Sequence, residues 1–156
     1  SGELYNRDSI KVDIEREFKT KQGRTVYGGG GIIPDVFIGM DTTENYRFYN
    51  AMLSKGLIRE FALIMADKYR NDHQNPELMG FISDFKINEK DRTALIELAK
   101  RSDIDIPQDK EEFPYTEFQI KARAARNLFN GKGYYTVRTT KDEMVEAALN
   151  ILDRDL

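Results

Sequence analysis

The spacing of apolar residues changes once along the chain. Over the first forty residues Val12, Ile14 and Phe18 alternate with charged neighbours, Lys21-Gln22-Gly23-Arg24 has turn composition, and Thr25-Val26-Tyr27 resumes β-branched and aromatic character. This pattern predicts a β-hairpin. Four glycines, Gly28 to Gly31, then meet Ile32-Ile33-Pro34-Asp35-Val36-Phe37-Ile38, where the residue before proline is biased away from helix. A loop and a third short strand are expected there.

From Asp41 onward the period is helical. Asp41 and Glu44 have capping-box spacing, Tyr46, Tyr49 and Leu53 follow at helical intervals, and Gly56 offers a C-cap. A second helix from about Leu57 carries an expected core stripe of Leu57, Phe61, Ile64, Met65 and Lys68-Tyr69. Asn75-Pro76 fits an N-cap with proline at the first helical position, opening a short helix through Leu78, Phe81, Ile82 and Phe85. Asn88 can cap a fourth helix carrying Ala94, Leu95, Leu98 and Ala99, which the acidic, proline-containing stretch 103–112 interrupts. Tyr115 to Asn130 restores the helical period, with Gly131 or Gly133 as its end. A last helix is expected to start at a Thr140–Glu143 capping box and to bury Met144, Val145, Ala148, Leu149 and Leu152. The whole reads as α+β, mainly α: a β element over residues 1–40, then a helical domain over 41–156 with about five or six helices.

Composition narrows the classes. A chain of 156 residues with 9 Phe and 8 Tyr has the size and apolar content of one folded domain. The net charge of -3 supplies no global attraction to nucleic acid or an anionic membrane, so any basic site must be local. With no cysteine, disulfides, thiolate nucleophiles and sulfur-ligated metals are excluded. The polar opening SGELYNRDSIKVD predicts no signal peptide, and no apolar run reaches the ~20 residues of a membrane span. A chain that opens on Ser1 rather than Met fits a piece cut from something longer, and a processed or tagged protein would look the same.

Four features invite chemical readings. The glycine run could form an anion-binding nest, but no Lys-Ser or Lys-Thr follows it and Pro34 breaks any helix that would start there, so a structural crossing between strands is the preferred role. His73, the only histidine, sits at a polar helix end and reads as a solvated C-terminal residue on the helix dipole. Asp103, Asp105, Asp109, Glu111 and Glu112 resemble a calcium loop, yet Pro107 stands at the fifth ligand position with no glycine beside it. No metal and no cofactor are expected. Lys121, Arg123, Arg126, Lys132 and Arg138, interleaved with Phe129, Tyr134 and Tyr135, have the makings of a single-strand surface, but a basic helix face beside core aromatics, with an acidic loop just upstream to neutralise it, accounts for them better, and no nucleic-acid partner is expected.

The segment FKTKQGRTVYGGGGIIPDVFI, residues 18–38, resembles the Gly-Arg…Tyr-Gly-Gly-Gly-Gly-Ile-x-Pro-Asp element of the C-terminal processing (tail-specific) serine peptidases, especially their longer envelope-associated members. Gly23, Arg24, Val26, Tyr27, Gly28, Gly29, Gly30, Gly31, Ile32, Pro34 and Asp35 stand in the family's order, about ten identities over thirteen positions. Asp41-Thr42-Thr43 and Asp8-Ser9-Ile10-Lys11 are similar as well, whereas the helical remainder resembles the family only in outline. The resemblance implies a parent enzyme that cleaves proteins near their C-termini with a Ser-Lys dyad on an α/β core, in the periplasm or cell envelope. It places that dyad before the glycine-rich element, so no catalytic residue is carried over to this chain. Ser9 and Lys11 are too close together to substitute, and Ser54-Lys55 lacks a third partner and an oxyanion hole. The expected partners are the parent's catalytic core and its protein substrates, and a hairpin marginal on its own should pair with a second copy, giving a homodimer, or dock on the helices.

Overall fold

The computed structural model describes residues 17–21, 23, 25–28, 36–38, 46–107 and 112–153. The chain divides into two compact units, Ser1–Glu44 and Asn45–Leu156. The architecture is α+β and mainly α, a two-stranded antiparallel hairpin followed by six helices among the described residues.

In the first unit β1 (Glu17–Lys19) pairs with β2 (Thr25–Tyr27), with Phe18 opposite Val26. Gly23 sits in the connecting turn at φ +82°, a left-handed conformation in which a Cβ would be strained, and its N–H donates to the Thr20 carbonyl at 2.9 Å. Phe18 and Tyr27 are exposed. Val36 to Ile38 belong to no strand, so the part of the expected third strand that is described does not form one. The Asp41–Glu44 cap, Ser9 and Lys11 lie outside the described residues.

The second unit is built on α2 (Leu57–Asp72) packed against α5 (Glu112–Thr139), flanked by α1 (Arg47–Ser54), α3 (Leu78–Asp84) and α4 (Glu89–Arg101). α1 and α2 meet at Gly56, whose φ of +77° lets the chain reverse within two residues. The buried arc of α2 is Leu57, Ile58, Phe61, Ala62, Met65, Ala66 and Tyr69. It is centred on Met65, which leaves Ile64 half exposed rather than in the core as its spacing suggested. Ala62 and Ala66, like Ala122, Ala124 and Ala125 on α5, are fully buried, and such small side chains let two backbones approach closely. Phe81 forms the centre of an aromatic cluster, its ring 4.9 Å from Tyr69, 4.5 Å from Phe85 and 5.7 Å from Phe129.

Helix ends differ from the sequence expectation where several polar residues compete. α3 begins at Leu78, two residues beyond Asn75-Pro76, and has no side-chain cap. Asn88 caps α4 as expected, and Asp91 completes a reciprocal capping box by accepting from the Asn88 N–H. Ala94 turns outward. α4 ends in a Schellman arrangement: Ile104 N–H reaches the Ala99 carbonyl and Asp103 N–H the Lys100 carbonyl, with Asp103 at φ 51°. Ile104 is buried against the core, so this stop signal precedes Pro107.

α5 starts at Glu112 and does not end at a glycine. Phe129 and Asn130 leave helical geometry, Asn130 at φ 58° and ψ −151°, and a second helical limb follows to Thr139. The limbs run antiparallel: Tyr134 lies over Arg126, Arg138 reaches Gln119 and Lys141 lies over Phe118, so partners descend on one limb as they ascend on the other. A Cβ on Gly133 would meet the Ala125 carbonyl and come within 2.8 Å of the Phe129 Cβ. Glycine is required here by close approach.

α6 (Glu143–Leu152) is capped by Asp142, whose carboxylate accepts from Met144 and Val145 N–H; Thr140 instead donates to the Val137 carbonyl at 2.7 Å. The expected burial of this helix does not occur. None of its residues is buried, and Met144, Leu149 and Leu152 are more than half exposed.

Candidate functional site

The basic stretch that the sequence presents as one run is divided by the helix period and the reversal of α5. Successive cations point to different sides, and two separate recesses result.

The larger is a cleft of about 500 Å³ between α3, the α3–α4 connection and both limbs of α5. Its floor is apolar, from Ile82, Phe85, Ile87, Phe118 and Val137. Lys86 and Lys141 stand exposed at its edge, and Lys121 lines it more deeply. Lys121 Nζ donates to the Ile82 carbonyl at 2.7 Å and the Phe85 carbonyl at 3.1 Å, satisfying the last turn of α3. Burial, reinforced by the charges of Lys86 and Lys141, holds its pKa below the usual lysine value. Lys141 Nζ lies 5.0 Å from the centre of the Phe118 ring. The cleft's carboxylate, Glu117, is engaged by Arg92 Nε at 2.7 Å, and that hydrogen bond raises the Arg92 pKa further. Two lysines therefore overhang an apolar floor with the nearby acid already paired. The arrangement suits a peptide that presents an apolar side chain beside a negative charge.

The second recess, about 410 Å³, is formed by Arg59 on α2, Arg123 and Arg126 on the first limb of α5, Asn127, and Tyr134 on the second limb. Arg123 is held by Gln119, whose side-chain and backbone oxygens accept at 2.9 and 3.1 Å, and by the Tyr49 hydroxyl at 2.8 Å. Arg126 lies over the Tyr134 ring.

The other singled-out residues are dispersed. His73 stands just past the end of α2, stacked on Tyr69 at 4.0 Å with Nδ1 2.9 Å from the Tyr69 carbonyl, a helix-terminal position as its sequence context indicated. Beside it Lys68 pairs with Asp91 at 2.6 Å. Ser54 donates to the Ala51 carbonyl and Lys55 to the Ser102 carbonyl, so the two are turned to different partners. Asp103 and Asp105 are in the described part of the acidic loop, and no metal-binding cluster of acids is found among the described residues; Asp109 and Glu111 lie outside them. Of the glycine-rich element, Gly23, Tyr27 and Gly28 are described, while Arg24, Gly29, Gly30, Gly31, Pro34 and Asp35 lie outside the described residues. No helix among the described residues is long and apolar enough to cross a membrane. The Lys86 contribution was missed in the sequence, because it comes from a different helix boundary and no periodic signal ties it to Lys121.

Residues 48–130 match a family of unknown function, DUF8443, over just more than half of the chain. The chain belongs to that family. The DUF8443 segment starts inside α1 and stops at Asn130, where α5 reverses. It includes Lys86, Lys121 and all three arginines of the smaller recess, and excludes Lys141 and the hairpin. No curated protein and no solved structure matches the chain.

Proposed function

We propose that this chain is a noncatalytic C-terminal region of a serine-type C-terminal processing peptidase of the cell envelope, acting beside a Ser-Lys dyad that the parent carries elsewhere. The observation that carries the reading is the ordered run from Gly23 to Asp35 within the segment 18–38. The hairpin is compatible with it: two strands of three residues, all exposed but the half-buried Val26, make a ribbon that is marginal in water alone and suits an element that extends a larger sheet. The helical unit supplies a surface for the catalytic core or for a protein substrate, and the lysine-edged cleft, with its apolar floor, is a place on it for such a contact.

A second reading, an interaction or dimerisation module of the peptidase or of another envelope protein, is favoured by the uncovered apolar residues of α6. The two readings separate in one set of measurements. Hydrolysis of a peptide with an apolar C-terminus is compared for the longer parent, the parent lacking residues 45–156, and this chain alone. The first reading expects cleavage by the parent, none by this chain, and reduced cleavage of folded protein substrates by the truncated parent. Unchanged cleavage by the truncated parent, together with a dimeric solution mass for this chain, favours the second. Cleavage by this chain alone overturns both.

A further inference from the structure

We propose that the recess of Arg59, Arg123 and Arg126 is a binding site for a phosphate-bearing small anion. Three guanidiniums from two helices converge on one recess of about 410 Å³, with Asn127 and Tyr134 completing its walls. Among the described residues none of the three forms an ion pair, whereas Arg70, Arg92 and Arg101 each find a carboxylate. The helical neighbours of Arg126 one turn away are Ala122, Arg123, Phe129 and Asn130, and those of Arg59 are Lys55, Gly56, Ala62 and Leu63, so neither helix offers an acid at that spacing. Like charges brought together without a counter-charge are unfavourable, and a bound anion relieves that cost.

The site is also partly built in advance. Arg123 is oriented by Gln119 and the Tyr49 hydroxyl, contacts that fix its plane and leave part of its donor fork unused. Arg126 is backed by the Tyr134 ring, 5.8 Å from the guanidinium carbon. Guanidinium forks match the oxygen edges of a phosphoryl group in pairs, and three positive charges balance a phosphate dianion or a pyrophosphate better than a single carboxylate. Asn127 adds an amide donor for a remaining oxygen. The recess differs from the lysine-rimmed cleft in lacking an apolar floor, so it selects for charge and oxygen geometry. The inference stands independently of the peptidase reading.

The test is calorimetric titration of the 156-residue chain with sodium pyrophosphate in low-chloride buffer, with inorganic phosphate, citrate and vesicles rich in an anionic phospholipid as separate arms. The expected result is saturable 1:1 pyrophosphate binding that weakens at least tenfold in Arg126→Gln and in Arg59→Gln. Arg126→Lys should recover only part of it, because the charge returns without the fork, while Lys86→Gln with Lys141→Gln leaves it unchanged. Circular dichroism of each variant separates lost binding from lost folding, and Arg59 and Arg126 are exposed enough for their replacement to be tolerated. Phosphate competing with pyrophosphate supports a site for a free phosphoryl group; vesicle binding that pyrophosphate displaces supports a headgroup as its source. Absence of saturable binding, citrate binding as tightly as pyrophosphate, or equal losses in the lysine variant overturns the proposal.

Discussion

The first limb of α5 and the helix α6 have similar sequence patterns and opposite fates. Both show apolar residues at helical intervals, yet the first limb buries Phe113, Ile120, Ala122, Ala124 and Ala125, while α6 buries nothing. The limb is long, lies against α2 and is doubled back upon by its own continuation. α6 is ten residues long and follows the point at which the core is already filled. Amphipathicity therefore states that a face can be buried, and the supply of partner surface decides whether it is. A ten-residue helix without a packed face depends on its cap and propensity alone, below the length at which isolated helices are stable in water.

The same kind of truncation on the two helices should separate them most sharply. Ile120→Ala, at a fully buried site, is expected to lower unfolding stability by about 2–5 kcal/mol in urea denaturation, through lost transfer energy and the cavity left behind. A loss under about 1 kcal/mol would mean that the limb is not core. Next in size is Gly133→Ala, whose Cβ would press on the Ala125 carbonyl where the limbs touch; a loss of about 1–3 kcal/mol is expected, and a neutral result would place the limbs farther apart. For Asp142→Ala, loss of a side-chain cap worth about 1 kcal/mol should appear as faster amide exchange confined to α6, with the global midpoint unmoved. A shift of the whole transition would show that α6 is coupled to the core after all.

Lys121 provides a pH-dependent version of the comparison. Its folded pKa lies below the unfolded value of 10.5, so the unfolded chain holds the proton more tightly, and its contribution to stability grows as pH rises from the folded value toward 10.5. Lys121→Met should lack that upward slope, so that the slope appears in the difference between the two proteins' stability–pH curves; parallel curves would show that the amine is not desolvated. Tyr69 acts in the opposite sense, since burial raises its pKa and stability falls as pH climbs above its ordinary value of 10.0, so the lysine slope is best read below pH 10. The smallest effect belongs to Leu149→Ala, an exposed site on α6 expected to stay within about 0.5 kcal/mol. A larger loss in a sample of monomeric mass would reveal a covering contact within the chain.

Much of the fold was legible because its signals are local. Gly56 between two helical runs, Asn88 ahead of a third, and the 3.6-residue period of α2 and α5 each depend on residues within a turn or two of one another. The misplacements arose where two local signals competed. Thr140 and Asp142 both qualify as caps, and Asn75-Pro76 and Glu77 both precede α3; in each case the N-cap position falls on the later residue, Asp142 or Glu77, whose backbone is extended. Ile64 and Ala94 face outward because the buried arcs were set by which neighbour arrived, not by the mean direction of apolarity. The cationic recesses were less legible still. Lys121, Arg123 and Arg126 are near in sequence but leave the helix in different directions, and their companions Lys86, Lys141 and Arg59 come from elsewhere in the chain.

What the sequence determined by itself is the mainly helical class, the hairpin ahead of it, and the glycine-rich element on which the peptidase proposal rests. These follow from short-range sterics, periodicity and a run of adjacent residues. The antiparallel return of α5, the exposure of α6 and the gathering of lysines and arginines into two recesses were decided only by tertiary structure. Each depends on which surfaces meet across distant parts of the chain, where burial is gained jointly and no single segment encodes the outcome.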